Sequence, residues 1–168
     1  MEQEKIDEIN TKLLKDREVI PRSDLKSLKN FLKKAGSQLH PQHYILSLTK
    51  RWMLPILCHD PVKAVYEEWQ EKLQLVKELL QVLNIVNPGY SKDRGRALFE
   101  LSVTTLNLNK LEYESHKLDL EQFKNISLNT VIPMFQNSIQ ILNSEPEKSY
   151  EQMLCWACNF YIDKLRNI

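Results

Sequence analysis

The stretch from Leu83 to Leu101, LNIVNPGYSKDRGRALFEL, constrains this fold more than any other. Asn87-Pro88-Gly89 has no place inside a helix, because proline lacks the amide proton and fixes φ while glycine supplies the freedom a sharp turn needs. Ser91 follows as an N-cap, its hydroxyl placed to accept a hydrogen bond from an orphaned amide two or three residues on. Leu98, Leu101, Thr105 and Leu108 then continue at helical spacing. Helix, short polar turn and antiparallel helix follow from these residues alone.

The rest of the chain is punctuated in the same way, by Pro21, Pro41, Pro61 and Pro146. With three glycines in 168 residues, no period-2 alternation, and abundant Leu, Lys, Glu and Gln, the expected class is all-α with about seven helices. A first helix over residues 2–18, within a segment 1–20 read as partly mobile, puts Ile6, Ile9 and Leu13 on one stripe. Ser23 is the expected cap of a second helix with Leu25, Leu28, Leu32 and Ala35 inward, and Gly36 its αL terminator. His40-Pro41 opens a third, with Ile45, Leu48 and Trp52 inward, ending near Pro55.

Asp60-Pro61 starts the expected longest helix, whose Val62, Tyr66, Trp69, Leu73, Val76, Leu80 and Leu83 form a heptad stripe widened by Val65, Leu79 and Val86. The stripe is too short for a sustained coiled coil and is read as intramolecular packing. A fifth helix runs from about Lys92 to Asn109, where the missing side chain of Gly95 lets a neighbouring helix come close. Residues from about 112 to 143 read as one bent helix or two, with Pro133 inviting a kink. Ser149 with Gln152 makes a capping box for a last helix carrying Leu154, Tyr161 and Leu165 inward. Trp52, Trp69 and Trp156 are assigned to the core. Short connections force antiparallel neighbours, so residues 1–168 read as one domain of stacked helix hairpins, tetratricopeptide-like but without a regular period of about 34 residues.

The formal net charge of +1 speaks against nucleic acid as a partner. No apolar run approaches a membrane span and the N-terminal MEQEKIDEIN lacks an apolar signal core, so the expected location is cytoplasmic or nuclear. Cys155-Trp156-Ala157-Cys158 has redox or zinc half-site spacing, yet it lies inside a helix with no second ligand pair, and Cys58 stands apart; structural thiols are the better reading. His40 and His43 lack companions for a metal and read as capping residues. Neither a phosphate loop nor a nucleophile-base arrangement can be picked out, and no cofactor is expected.

Three segments, taken in order, carry a resemblance: Leu39-His40-Pro41-Gln42-His43-Tyr44; Pro88-Gly89-Tyr90-Ser91 with Arg94-Gly95; and Leu142 to Gln152 around Glu145-Pro146. The chain resembles the C-terminal region of SET and MYND domain lysine methyltransferases over about residues 20–165. The resemblance implies a tetratricopeptide-like helical domain that flanks a catalytic SET fold, walls its substrate cleft and docks other proteins. The MYND cysteine and histidine array and the SET segments that hold methyl donor and lysine are missing, so no catalytic residue carries over. Two origins are compatible with that: the C-terminal part of an active methyltransferase, with a SET domain in cis, or a relative that kept only the helical domain.

In such stacks the first helix of each pair lines the concave face, here the third, fifth and last helices. His43, Ser47 and Lys50 share a polar stripe on the third, and Lys92, Arg96, Val103 and Asn107 align on the fifth. Cations and amides converging from two helices suit an acidic peptide or a C-terminal carboxylate, and the family's association with the Hsp90 chaperone points to its acidic tail. The expected function is a non-catalytic protein-docking domain. A helical-repeat nucleic-acid binder is the reading from another class, disfavoured by charge.

Overall fold

The computed structural model describes residues 2–168, with side chains from residue 6 onward. Its contacts group into two compact units, Met1–Pro61 and Val62–Ile168, where the sequence reading takes 1–168 as one. All regular structure among the described residues is helical.

The first unit holds α1 (Glu2–Glu18), α2 (Leu25–Gly36) and α3 (Tyr44–Met53). Leu13, Phe31, Ala35, Ile45 and Leu46 form its core, edged by Leu14, Ile20, Leu32 and Leu39. Of the α1 stripe only Leu13 is buried, while Ile6 and Ile9 face solvent. Lys34 of α2 reaches Asp16 of α1 at 2.9 Å.

Asp24, not Ser23, caps α2. Its Oδ1 accepts from the Ser27 amide at 3.0 Å and its Oδ2 from the Ser27 hydroxyl at 2.6 Å. A carboxylate that takes both donors outcompetes a single hydroxyl one residue earlier, and the hydroxyl bond holds the Asp24 carboxyl below the usual range. Gly36 is the last residue of α2 and is not in the left-handed region. The Ser37 hydroxyl donates to Lys34 O at 2.8 Å, so a terminal carbonyl is satisfied without an αL residue. His40-Pro41 forms a turn ahead of α3, which starts three residues later with His43 as cap. Leu48 and Trp52 are half-buried rather than central.

The second unit holds α4 (Tyr66–Val86), α5 (Lys92–Glu114), α6 (Leu120–Ile126), a π turn (Ser127–Val131), α7 (Ile132–Leu142) and α8 (Tyr150–Arg166). With α6 and α7 joined through the π turn, the described chain has seven rods, the all-α class expected from the sequence. Asp60-Pro61 does not begin α4; Val62 is 94% exposed, and Val65 and Val86 are exposed too. The stripe that packs is Trp69, Val76, Leu79, Leu80 and Leu83, with Leu75 and Val82 beside it. At 23 residues α5 outruns α4 at 21.

Between α4 and α5, Gly89 at φ +85° makes the turn and Ser91 caps α5 by accepting from the Arg94 amide at 3.2 Å. Arg94 closes the turn, its Nε donating to Asn84 Oδ1 at 2.8 Å and its Nη1 to Gly89 O at 3.2 Å. Further along, the Tyr66 hydroxyl donates to Glu112 at 2.6 Å and Lys72 meets Glu100 at 2.9 Å.

Buried residues recur at Phe123, Ser127, Val131 and Phe135, four apart. In a regular α-helix each step of four overshoots one turn by about 40°, so over twelve residues the row would swing by roughly 120°. The π turn takes up the excess and keeps these residues facing the core. It also gives room ahead of Pro133, whose ring would crowd the carbonyl four residues back. Val131, Ile132 and Phe135 then pack with Cys158, Ile162 and Leu165 of α8, and Phe135 stacks on Tyr161 at 5.2 Å.

The tightest approach lies between α5 and α7. A Cβ on Gly95 would sit 2.4 Å from Leu142 Cδ2 and 3.1 Å from Ile141 Cγ2, and Ser138 donates its hydroxyl to Gly95 O at 2.9 Å. Leu142 is wholly buried and has nowhere to yield. Gly95→Ala is expected to destabilise the chain by about 1–3 kcal/mol as an overpacked core, against the gain alanine brings an open helix position. A urea unfolding curve whose midpoint does not fall would contradict this packing.

Candidate functional site

The residues singled out on the third and fifth helices fall in different compact units. On α3, His43 Nδ1 accepts from the Ile45 amide at 3.3 Å, and Ser47 donates to His43 O at 3.5 Å. Burial pushes the His43 pKa down, which favours the neutral ring that capping requires. Lys50 is half-buried one turn further on. On α5, Asn107 donates to Val103 O at 2.8 Å and so bonds within its own helix.

Lys92 and Arg96 converge on α8. The Arg96 guanidinium pairs with the buried carboxylate of Glu151 through Nη2, while its Nε has no partner. Backbone hydrogen bonding at the start of α8, Arg96 and the field of Lys92 together hold the Glu151 carboxyl below the ordinary glutamate range. Arg96 also stands 5.4 Å from the Tyr150 ring.

Tyr150 opens a row that the sequence reading placed partly in the core. Tyr150 (55% exposed), Met153 (64%), Trp156 (73%) and Phe160 (48%) lie on one face of α8, while Leu154, Cys155, Cys158, Ile162 and Leu165 fill the buried face. Trp69 is buried as expected and Trp52 half-buried, so Trp156 is the tryptophan that departs furthest from that assignment. Its ring stacks on Phe160 at 6.2 Å, and Lys164 Nζ stands 5.6 Å from Phe160. An apolar pocket of about 310 Å³ is lined by Tyr150, Met153, Leu154, Trp156 and Ala157. The row was missed because Leu154, Tyr161 and Leu165 already satisfy one helical face; the surplus apolar residues at 150, 153, 156 and 160 were the available signal.

Ser149 caps α8 by accepting from the Gln152 amide at 3.3 Å, but the Gln152 side chain does not complete the expected capping box. It donates to Glu145 O at 3.0 Å and Asn143 O at 3.3 Å, tying α8 to the end of α7. The reciprocal box occurs instead at Asp119 and Gln122 on α6.

Cys155 and Cys158 lie on the buried face, and burial pushes the Cys158 thiol up to about 12. Among the described residues no group of three or more His, Cys, Asp or Glu is placed to hold a metal ion, and no helix is long and apolar enough to cross a membrane. Comparison with protein-family models, curated proteins and solved structures finds no match for the chain.

Two outcomes test this geometry. Because the Glu151 pKa is lowered in the folded state, its stabilising contribution is complete above the unfolded pKa and is lost as pH falls through the lower folded value. The melting-temperature gap between the native chain and Glu151→Gln should therefore be open near neutrality and close below the glutamate range. For the thiols, a disulfide reagent at about pH 8 should titrate none of the three cysteines promptly in the folded chain and all three in denaturant.

Proposed function

We propose that this chain is a non-catalytic protein-docking domain of the kind its resemblance to the C-terminal region of SET and MYND methyltransferases implies, and that it takes an acidic peptide along α8. The observation that carries this reading is the exposed row Tyr150, Met153, Trp156 and Phe160, with Lys92 and Arg96 at its first end and Lys164 at its last. Rigid aromatic and methionine side chains supply contact area at small entropic cost, and cations at both ends select a partner with acidic and apolar residues in alternation.

An acidic C-terminal chaperone tail, such as that of Hsp90, has this chemistry. In this reading Lys92 and Arg96 keep the roles the sequence pattern suggests, but α8 replaces α3 as the second wall. His43, Ser47 and Lys50 belong to the unit Met1–Pro61, and this reading does not call on them.

Calorimetric titration with a short acidic C-terminal chaperone peptide is expected to give micromolar affinity. Trp156→Ala should weaken it at least tenfold and Lys92→Ala several-fold, both with unchanged unfolding midpoints, because exposed side chains seldom contribute to stability. Undiminished binding by Trp156→Ala, or no heat from the intact protein, would overturn the reading.

A further inference from the structure

The unit Met1–Pro61 contains a cation arrangement that its own fold leaves incomplete. Arg17, near the end of α1, is 5% exposed, and its Nε and Nη2 are buried without a hydrogen-bond partner. Its guanidinium carbon stands 3.3 Å from the centroid of the Trp52 ring, and that of Arg22 stands 4.3 Å from the same ring. Two like charges share one indole. Burial and, after it, the charge of Arg22 push the Arg17 pKa down, against a smaller opposing pull from Glu18.

The geometry of the unpaired atoms is specific. Nε–H and one N–H of Nη2 are the two parallel donors on the side-on edge of a guanidinium, the edge that takes two oxygens of one oxyanion at once. Stacking on Trp52 occupies the face of the Arg17 plane and leaves this rim for in-plane bonds. Among the described residues, Asp16 pairs with Lys34 and Asp24 accepts from Ser27, while the exposed Glu18 acts on Arg17 through its field and not through a hydrogen bond to these two atoms.

We infer that Arg17, Arg22 and Trp52 form an oxyanion site that takes a phosphate group, with Arg17 as the side-on fork, Arg22 as the second charge and Trp52 as the wall that fixes the fork. Two guanidinium charges match the charge of about −1.5 to −2 that a phosphate monoester carries near neutral pH, which a single carboxylate does not. The donors of Arg17 carry almost no exposed surface. Binding therefore opens the rim, and Arg22, exposed on the link between α1 and α2 and held to the same ring, brings the second charge to the anion. The inference is independent of peptide docking on α8, which lies in the other unit.

The test is a titration of the intact chain with inorganic phosphate and, in parallel, with phosphoserine, each against sodium chloride of matched ionic strength. It is followed through the arginine Nε–Hε resonances by ¹⁵N–¹H NMR. One resonance, identified by its loss in Arg17→Lys, should shift saturably at millimolar concentration or below. Arg22→Gln should weaken the response at least fivefold while keeping the Arg17 resonance, so the test survives if Arg17→Lys does not fold. The tighter of the two probes names the source: phosphoserine a monoester, inorganic phosphate the free ion. A shift that chloride reproduces, or one unaltered in Arg22→Gln, would overturn the site.

Discussion

The close crossing of α5 and α7 at Gly95 is the contact on which the second unit depends. Without a side chain at that position, the buried Leu142 and Ile141 settle against the α5 backbone, and the Ser138 hydroxyl secures it through the Gly95 carbonyl. Everything flanking the crossing serves to aim it. Ser91 starts α5, Arg94 locks the turn behind it, and Gln140 of α7 donates to the Tyr90 hydroxyl at 2.9 Å. Once α7 is seated, Gln152 ties α8 to its end and brings Glu151 to Arg96. The residues of Pro88-Gly89-Tyr90-Ser91, Arg94-Gly95 and the segment from Leu142 to Gln152 are thus largely spent inside this framework, as turn, cap and crossing. They fix where a surface stands without forming it.

Much of this was legible in the sequence, and what was not has identifiable causes. Helix class, the Pro88-Gly89 turn, the Ser91 cap and the role of Gly95 follow from residues whose backbone demands have one cheap solution. Starts of helices were less readable where two capping residues adjoin, as at Ser23-Asp24, or where proline makes a turn ahead of the helix, as at Pro41 and Pro61. The π turn was visible only as a bend expected near Pro133, since a four-residue spacing of buried positions declares itself only when burial is known. On the site, Lys92 and Arg96 were found as a stripe, but their convergence on Glu151 joins residues some fifty-five positions apart. Periodicity within one helix carries no information about such a pair.

Buried charge is treated in two opposite ways along this chain. In the second unit Lys72 meets Glu100 and Arg96 meets Glu151, each an acid from a neighbouring helix. Paired charges of this kind contribute little net stability but are costly to break from one side. Arg17 in the first unit has an aromatic ring and another arginine instead. The contrast within one protein separates cations that complete a framework from one whose hydrogen-bonding edge is left over.

The exposed row on α8 has a fixed length as well as a chemistry. Ten residues separate Tyr150 from Phe160, which at 1.5 Å per residue is about 15 Å, matched by roughly five residues of extended chain. Seated on a helix that is buried along its opposite face, the row cannot stretch or curl to suit a longer segment. On the proposed docking reading it would work as a gauge: a strand of the right few residues would meet a cation at each end, and a longer one would have to leave the helix.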